Sequence, residues 1–300
     1  MAQLLPIPVT EEEPLATVLS TMRMKVISDG EFEGTNLRQF TNRVYGGQAF
    51  GQAVIAAAAT MDGSHSGREI HSITAAFLRP GSMDIPTRFK VLDVLDGRSF
   101  STRRVLAHQA DKTILTARAS FQEIQPGLEH ASGMPQAPDP ESLASSVDFF
   151  AAMNTPDARR MNRTNAVDLR HVNGAIWTHP QQQQHTSSTL IWFKLRSAMP
   201  AQSSQTLHRA MLAYASDQFM LEPIMRRHDL FWFKQGLSLA TLDHEIWWHR
   251  DVNMSEWVLA ELTSPSAQGG RGLSIGRFFQ DGAHIATMAQ EGMVRVREAT

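Results

Sequence analysis

The chain has 300 residues, 28 Lys and Arg against 30 Asp and Glu, and a formal net charge of −2. That length gives one large domain or two ordinary ones with a substantial core, and the near-balance of charge argues against a broad nucleic-acid surface. There are no cysteines, which excludes disulfides, thiolate catalysis and Cys-ligated zinc.

Residues 1–13 read as a loose, acidic-ended tail without the basic and apolar regions of a secretory signal. No stretch approaches the ~20 apolar residues that span a bilayer. The last three residues, Glu298-Ala299-Thr300, are not a Ser-Lys-Leu type address. The expectation is a soluble, cytoplasmic protein.

Pro14 to Ile27 has weak helical periodicity, and Glu31 to Gln39 reads as a short strand. Residues 44–61 (VYGGQAFGQAVIAAAATM) follow Gly46-Gly47 with a helical run of small residues, which lets another element approach closely. Gly47 and Gly51 lack the third glycine and the βαβ setting of a dinucleotide loop. Four strands are expected next, at Glu69–Leu78, Thr87–Leu95, Ser99–Ala107 and Thr113–Glu123, with Asp96-Gly97 as a hairpin turn.

From residue 124 the composition changes, with prolines at 126, 135, 138, 140 and 156 and one short helix expected near Glu141–Met153. Strands are expected at Ala166–Val172 and Ser188–Leu195, and the four-Gln run Gln181–Gln184 between them reads as a solvated loop. Leu207–Glu222 is read as one helix ended or bent by Pro223. Leu237–Trp248, Trp257–Leu262, Gly272–Phe279 and His284–Val296 complete the strands.

The second half repeats the order of the first. Arg79 and Arg250 are separated by 250 − 79 = 171, and Gln109/Gln280, Ile114/Ile285 and Thr116/Thr287 share that spacing. An internal duplication is expected. The fold class is α+β, an antiparallel sheet with its helix on one face in each half. The expected layout is an N-terminal unit over 1–125, a Pro-rich connector over 126–165 and a C-terminal unit over 166–300.

Asp217 lies in an apolar helical segment, between Ala215 and Phe219. It is either a solvated outer-face residue or a carboxylate retained for chemistry, because burying it without hydrogen bonds is costly. Two polar residues share strand parity with apolar neighbours: Thr241 with Leu237 and Leu239, and Gln290 with Ala286 and Met288. Singly, each has an ordinary reading, since Thr is common in strands and a half-buried Gln commonly satisfies a loop carbonyl. At the 171 spacing Asp217 falls opposite Gly46, so the carboxylate belongs to one half only. His244 and His249 are five apart in a strand and point to opposite faces, so no metal site is expected. Ser216 has no G-x-S-x-G around it. Trp247-Trp248 reads as sheet packing.

The segments RVYGGQAFGQAVIAA, HSITAAFLRPGS, LDGRSFSTRRV, YASD, LATLDHEIWWHR and AQEGMVR resemble the acyl-CoA thioesterase II family. The resemblance implies a double hotdog fold and hydrolysis of acyl-CoA, with no cofactor. It implies that Asp217, Thr241 and Gln290 are the active-site residues, with water deprotonated by Asp217 and held by the other two. Attack on the thioester by Asp217 itself is the other route. Candidate substrate-binding residues are Gly46 and Gly47, through backbone amides facing the oxyanion, and Arg79, Arg250 and Arg271 at turns. A homo-oligomer is expected. A non-catalytic acyl-CoA-binding hotdog protein is the runner-up. A hotdog enoyl-CoA hydratase is disfavoured because the residue five after Asp217 is Glu222 rather than His.

Overall fold

A computed structural model describes residues 5–38, 42–61, 63–179 and 185–297; the four-Gln run and the C-terminal tripeptide lie outside them. In the first half, α1 (Leu15–Met22) leads into β1 (Lys25–Ser28), β2 (Glu31–Gly34) and α2 (Gly46–Ala58). β3 (Glu69–Phe77), β4 (Thr87–Asp96), β5 (Phe100–Gln109) and β6 (Lys112–Gln122) follow. The connector holds α3 (Ser146–Ala152) and α4 (Pro156–Thr164). The second half comprises β7 (Val167–His171), β8 (Ser188–Leu195), α5 (Gln205–Ser216), α6 (Glu222–Arg227), β9 (Leu237–Trp248), β10 (Val258–Gln268), β11 (Arg271–Gln280) and β12 (Ala283–Val296).

The described strands form one antiparallel twelve-stranded sheet, in the order β1-β2-β4-β5-β6-β3-β9-β12-β11-β10-β8-β7. All first-half strands lie on one side of the β3–β9 seam and all second-half strands on the other. Across the seam Ser72 pairs with Trp247, Ile73 with Ile246 and Thr74 with Glu245. Thr74 and Glu245 are 245 − 74 = 171 apart, so a pseudo-twofold axis passes through their pairing, where the Thr74 hydroxyl donates to Glu245 at 2.6 Å. The duplication extends to hydrogen bonds. Gln109 accepts from Ser82 N–H and donates to Ser82 C=O, and Gln280 does the same with Asn253. The single-residue bulge at His71 in β3 recurs at Leu242 in β9.

The central helices α2 and α5 pack against each other inside this curved sheet. Glycines make the approach possible: a Cβ on Gly51 would stand 2.9 Å from Ala210 O, and one on Gly47 2.4 Å from Tyr214 O. Their N-caps, Tyr45 and Ser204, are 204 − 45 = 159 apart. The helices therefore repeat at a shorter spacing than the strands, because the second half inserts α6 and its loop before β9. At 159, the counterpart of Asp217 is Ala58 and not Gly46. The counterparts of Thr241 and Gln290 at 171 are Ile70 and Ala119, so the first half carries none of the three polar groups.

Three local expectations change. Leu207–Glu222 is two helices, since α5 stops at Ser216 and Pro223 lies in the first turn of α6, where its missing N–H costs nothing. The connector holds a second helix, α4, capped by the Thr155 hydroxyl accepting from Ala158 N–H at 3.2 Å. β10 runs on to Gln268 rather than ending at Leu262, which leaves the turn to Gly269-Gly270, both at positive φ. The connector also covers the outer sheet face, where Met134 and Ala137 pack on Trp192, Leu259 and Phe279. Trp192 Nε1 donates to Pro138 C=O at 3.0 Å.

Candidate active site

Asp217 is the C-cap of α5, where the unpaired carbonyls of that helix disfavour a negative charge. It is held there by the opposite end of α2. The N-cap of α2, Tyr45, makes no side-chain cap bond. Instead Gly47 N–H, in the first turn of α2, donates to the Asp217 carboxylate. Asp217 thus caps α2 from another helix, and the positive end of that helix favours its charge. Gly46 is required beside it, because a Cβ there would lie 2.7 Å from Asp217 Oδ2.

Thr241 Oγ1 donates to Asp217 Oδ1 at 2.8 Å. Gln290 Nε2 donates to the same oxygen at 3.1 Å and to Thr241 Oγ1 at 2.8 Å. The three side chains therefore form one directed chain, Gln290 to Thr241 to Asp217. Burial raises the pKa of Asp217 above the ordinary carboxylate value, and the bonds from Thr241, Gly47 and Gln290 oppose that rise. The carboxylate is basic for its class and oriented by donors. Gln290 Oε1 is buried with no partner among the described residues.

His244, weighed in the sequence only as a metal ligand, lies beside Asp217. The bulge at Leu242 resets the alternation of β9, so Thr241 and His244 both face the helices. His244 is fully buried and sits opposite Gln290 on β12. Its Nδ1 lies 4.0 Å from Asp217 Oδ1. Burial lowers its pKa to about 3, so it is neutral wherever Asp217 is ionised. Tyr45 is the other neighbour that periodicity did not single out. Its hydroxyl donates to Tyr214 C=O at 2.7 Å, and its ring meets Tyr214 edge-on.

The other candidates separate. Gly46 and Gly47 are at the site, but Gly47 N–H is occupied by Asp217 and does not point to an oxyanion. Arg79 lies just past β3 and donates to Thr113 C=O at 2.8 Å. Arg250 is its symmetry counterpart, bonded to His284 C=O at 2.7 Å. It follows the far end of β9, and the seven residues from Thr241 to Trp248 span about 23 Å, so the structure does not bring Arg250 to Asp217. Arg271 is exposed and pairs with Glu291, next to Gln290, at 3.2 Å. Glu222 is buried against His171 Nε2 and Trp232 Nε1, each at 3.0 Å from Oε1. No group of metal-ligating side chains occurs among the described residues.

Two family profiles match the chain: "Acyl-CoA thioesterase N-terminal domain" over residues 37–122 and "Acyl-CoA thioesterase" over residues 161–293. Acyl-CoA thioesterase 2 of Haemophilus influenzae is 32% identical over 292 residues, which is 95% of this chain and 99% of the relative. The chain belongs to the acyl-CoA thioesterase II family. Human acyl-coenzyme A thioesterase 8 is 30% identical, covering 93% of this chain and 89% of the relative. The acyl-CoA thioesterase II structure from Mycobacterium marinum aligns with TM-score 0.75 at 29% identity, over 95% of this chain and 99% of that one. A protein from Alicyclobacillus acidocaldarius titled as having a hot dog fold aligns with the same score at 16% identity, which bears on the fold alone. The acyl-CoA thioesterase family assigns hydrolysis of acyl-CoA thioesters to this enzyme.

Proposed function

We propose that Asp217 is the general base of this hydrolysis and that Thr241 and Gln290 orient it. The directed hydrogen-bond chain ending on a buried carboxylate carries the reading. An attacking water gives its proton to Asp217 as its oxygen bonds to the thioester carbon. Collapse of the tetrahedral intermediate breaks the C–S bond. The thiolate leaves without a strong acid, because its conjugate thiol has a pKa of about 8.5. Gly46, by having no side chain, lets the Asp217 carboxylate lie close against α2, and the attacking water is read as bonding to that carboxylate. Gln290 Oε1 is the acceptor for the water's second proton. Neutral His244 stands 4.0 Å from the carboxylate and adds to its burial.

The acyl group is read as a fatty acyl chain. The two units are read as residues 1–125 and 166–300, joined by 126–165, supported by the seam between β3 and β9 and the repeated hydrogen bonds. A homo-oligomer is the assembly favoured, supported by Leu92, Val94 and Leu95 standing exposed along β4.

Thiol release from a panel of acyl-CoAs tests the reading. The parent chain cleaves them. Asp217→Ala loses most turnover and still binds acyl-CoA; near-parental rates in that variant end the assignment.

A further inference from the structure

α4 carries Arg159, Arg160 and Arg163 within five residues, and the fold brings Arg38 of the first half to the last two. A cavity of about 460 Å³ is lined by Arg38, Asn42, Met83, Arg160, Arg163 and Thr164. Among the described residues its wall carries three guanidinium groups and no carboxylate, in a protein whose acidic residues outnumber its basic ones. Arg160 and Arg163 lie on α4 and form no ion pair among the described residues. Arg38 pairs with Asp84, but both side chains are more than 70% exposed. Such a pair is worth about 0–1 kcal/mol and exchanges readily for a stronger anion.

The cavity sits where two chain segments leave the active site. Asn42 is four residues before Gly46, so their Cα atoms are at most about 15 Å apart. On the other wall, Thr164 precedes Asn165, whose amide exchanges two 3.0 Å hydrogen bonds with Gln218, the neighbour of Asp217. A ligand with its reacting carbon at Asp217 and an anionic end in the cavity bridges the two with a linear arm of at most roughly this length beyond the site itself. Acyl-CoA has that shape: the extended pantetheine arm separates the thioester sulfur from the diphosphate and the ribose 3′-phosphate. Arginine forks match phosphate oxygens in bidentate fashion.

We propose that this cavity is the binding site for the phosphate groups of CoA, with Arg160 and Arg163 as its principal contacts and Arg38 released from Asp84 to join them. The inference rests on acyl-CoA as the substrate. It replaces Arg79, Arg250 and Arg271 as the phosphate ligands, because two of those bond backbone carbonyls and the third pairs with Glu291.

The test compares the Arg160→Ala/Arg163→Ala double variant with the parent on an acyl-CoA and on the N-acetylcysteamine thioester of the same acid, which has no phosphates. Both positions are exposed on a helix, where Ala is well tolerated. The ratio of the two kcat/KM values falls roughly 10- to 100-fold in the variant, at about tenfold per charged contact, and the loss is in KM for acyl-CoA. A ratio equal to the parent's overturns the assignment, as does an equal loss on both substrates. If the parent cleaves neither thioester, the thioesterase reading fails instead. Calorimetry with CoA then decides the site alone: a Kd raised at least tenfold in the variant supports it, and an unchanged Kd overturns it.

Discussion

Replacing Asp217 by Asn separates the cost of the site from its use. The side chain is 6% exposed and is the terminus of three donors. Asn keeps the shape and one carbonyl oxygen for Thr241 and Gln290, but it removes the buried charge and the base. Burial raises the folded-state pKa of Asp217 above the unfolded value of 3.8. A group raised in this way contributes stability below the unfolded pKa, and that contribution is lost as pH rises through the folded pKa. At neutral pH the ionised carboxylate is therefore a net cost, and Asp217→Asn is expected to stabilise the protein by about 0.5–2 kcal/mol. For a chain of this size each kcal/mol raises the midpoint by roughly 2–4 °C. Turnover falls by about 10²–10⁴. Thermal melts of parent and variant from pH 4 to 8, with thiol release measured on the same samples, provide the check. The gap in midpoint widens with pH until Asp217 is fully ionised and then levels. A variant that is less stable than the parent at pH 8, or a gap independent of pH, refutes the assignment of a strained, ionised carboxylate.

Further expectations concern the donors, the helix contact and the repeat. Thr241→Ala removes a bond that lowers the pKa of Asp217, so the acid limb of the pH–rate profile moves to higher pH and kcat falls about 10- to 100-fold; a profile with an unshifted limb contradicts the orientation by Thr241. Gly47→Ala places a Cβ 2.4 Å from the Tyr214 carbonyl, and overpacking of this kind costs about 1–3 kcal/mol, read as a lowered denaturant midpoint together with lost activity. Gln109→Ala and Gln280→Ala remove equivalent hydrogen bonds on the two sides of the pseudo-axis, and each is expected to destabilise by about 1–3 kcal/mol; only a large difference between them in urea unfolding speaks against equivalence.

Much of this architecture was legible because it is local. The β3 to β6 meander follows from alternation and from turns such as Asp96-Gly97, and the repeat follows from Arg79/Arg250 and Gln109/Gln280. Asp217, Thr241 and Gln290 stood out as polar groups among apolar neighbours, but each alone has an ordinary explanation and their contact spans α5, β9 and β12, so their roles came from the family resemblance. What was not legible depends on non-local geometry. The bulge at Leu242 shifts strand parity by one residue, and alternation cannot reveal that His244 faces the site. Pro223 reads as a helix stop until α6 is seen to begin there. The 159 spacing of the helices differs from the 171 of the strands, so a single offset matched Asp217 to Gly46, which is its spatial neighbour and not its counterpart. The arginine cavity joins residue 38 to residue 163, and no sequence window contains both.

The most direct measurement of the proposed chemistry is one turnover in ¹⁸O-enriched water with enzyme in excess over acyl-CoA, followed by mass spectrometry of the released acid and of the peptide containing Asp217. General-base attack places the label in the released acid and leaves Asp217 unlabelled. Label in the Asp217 carboxylate means that Asp217 itself attacked the thioester, and that contradicts the account.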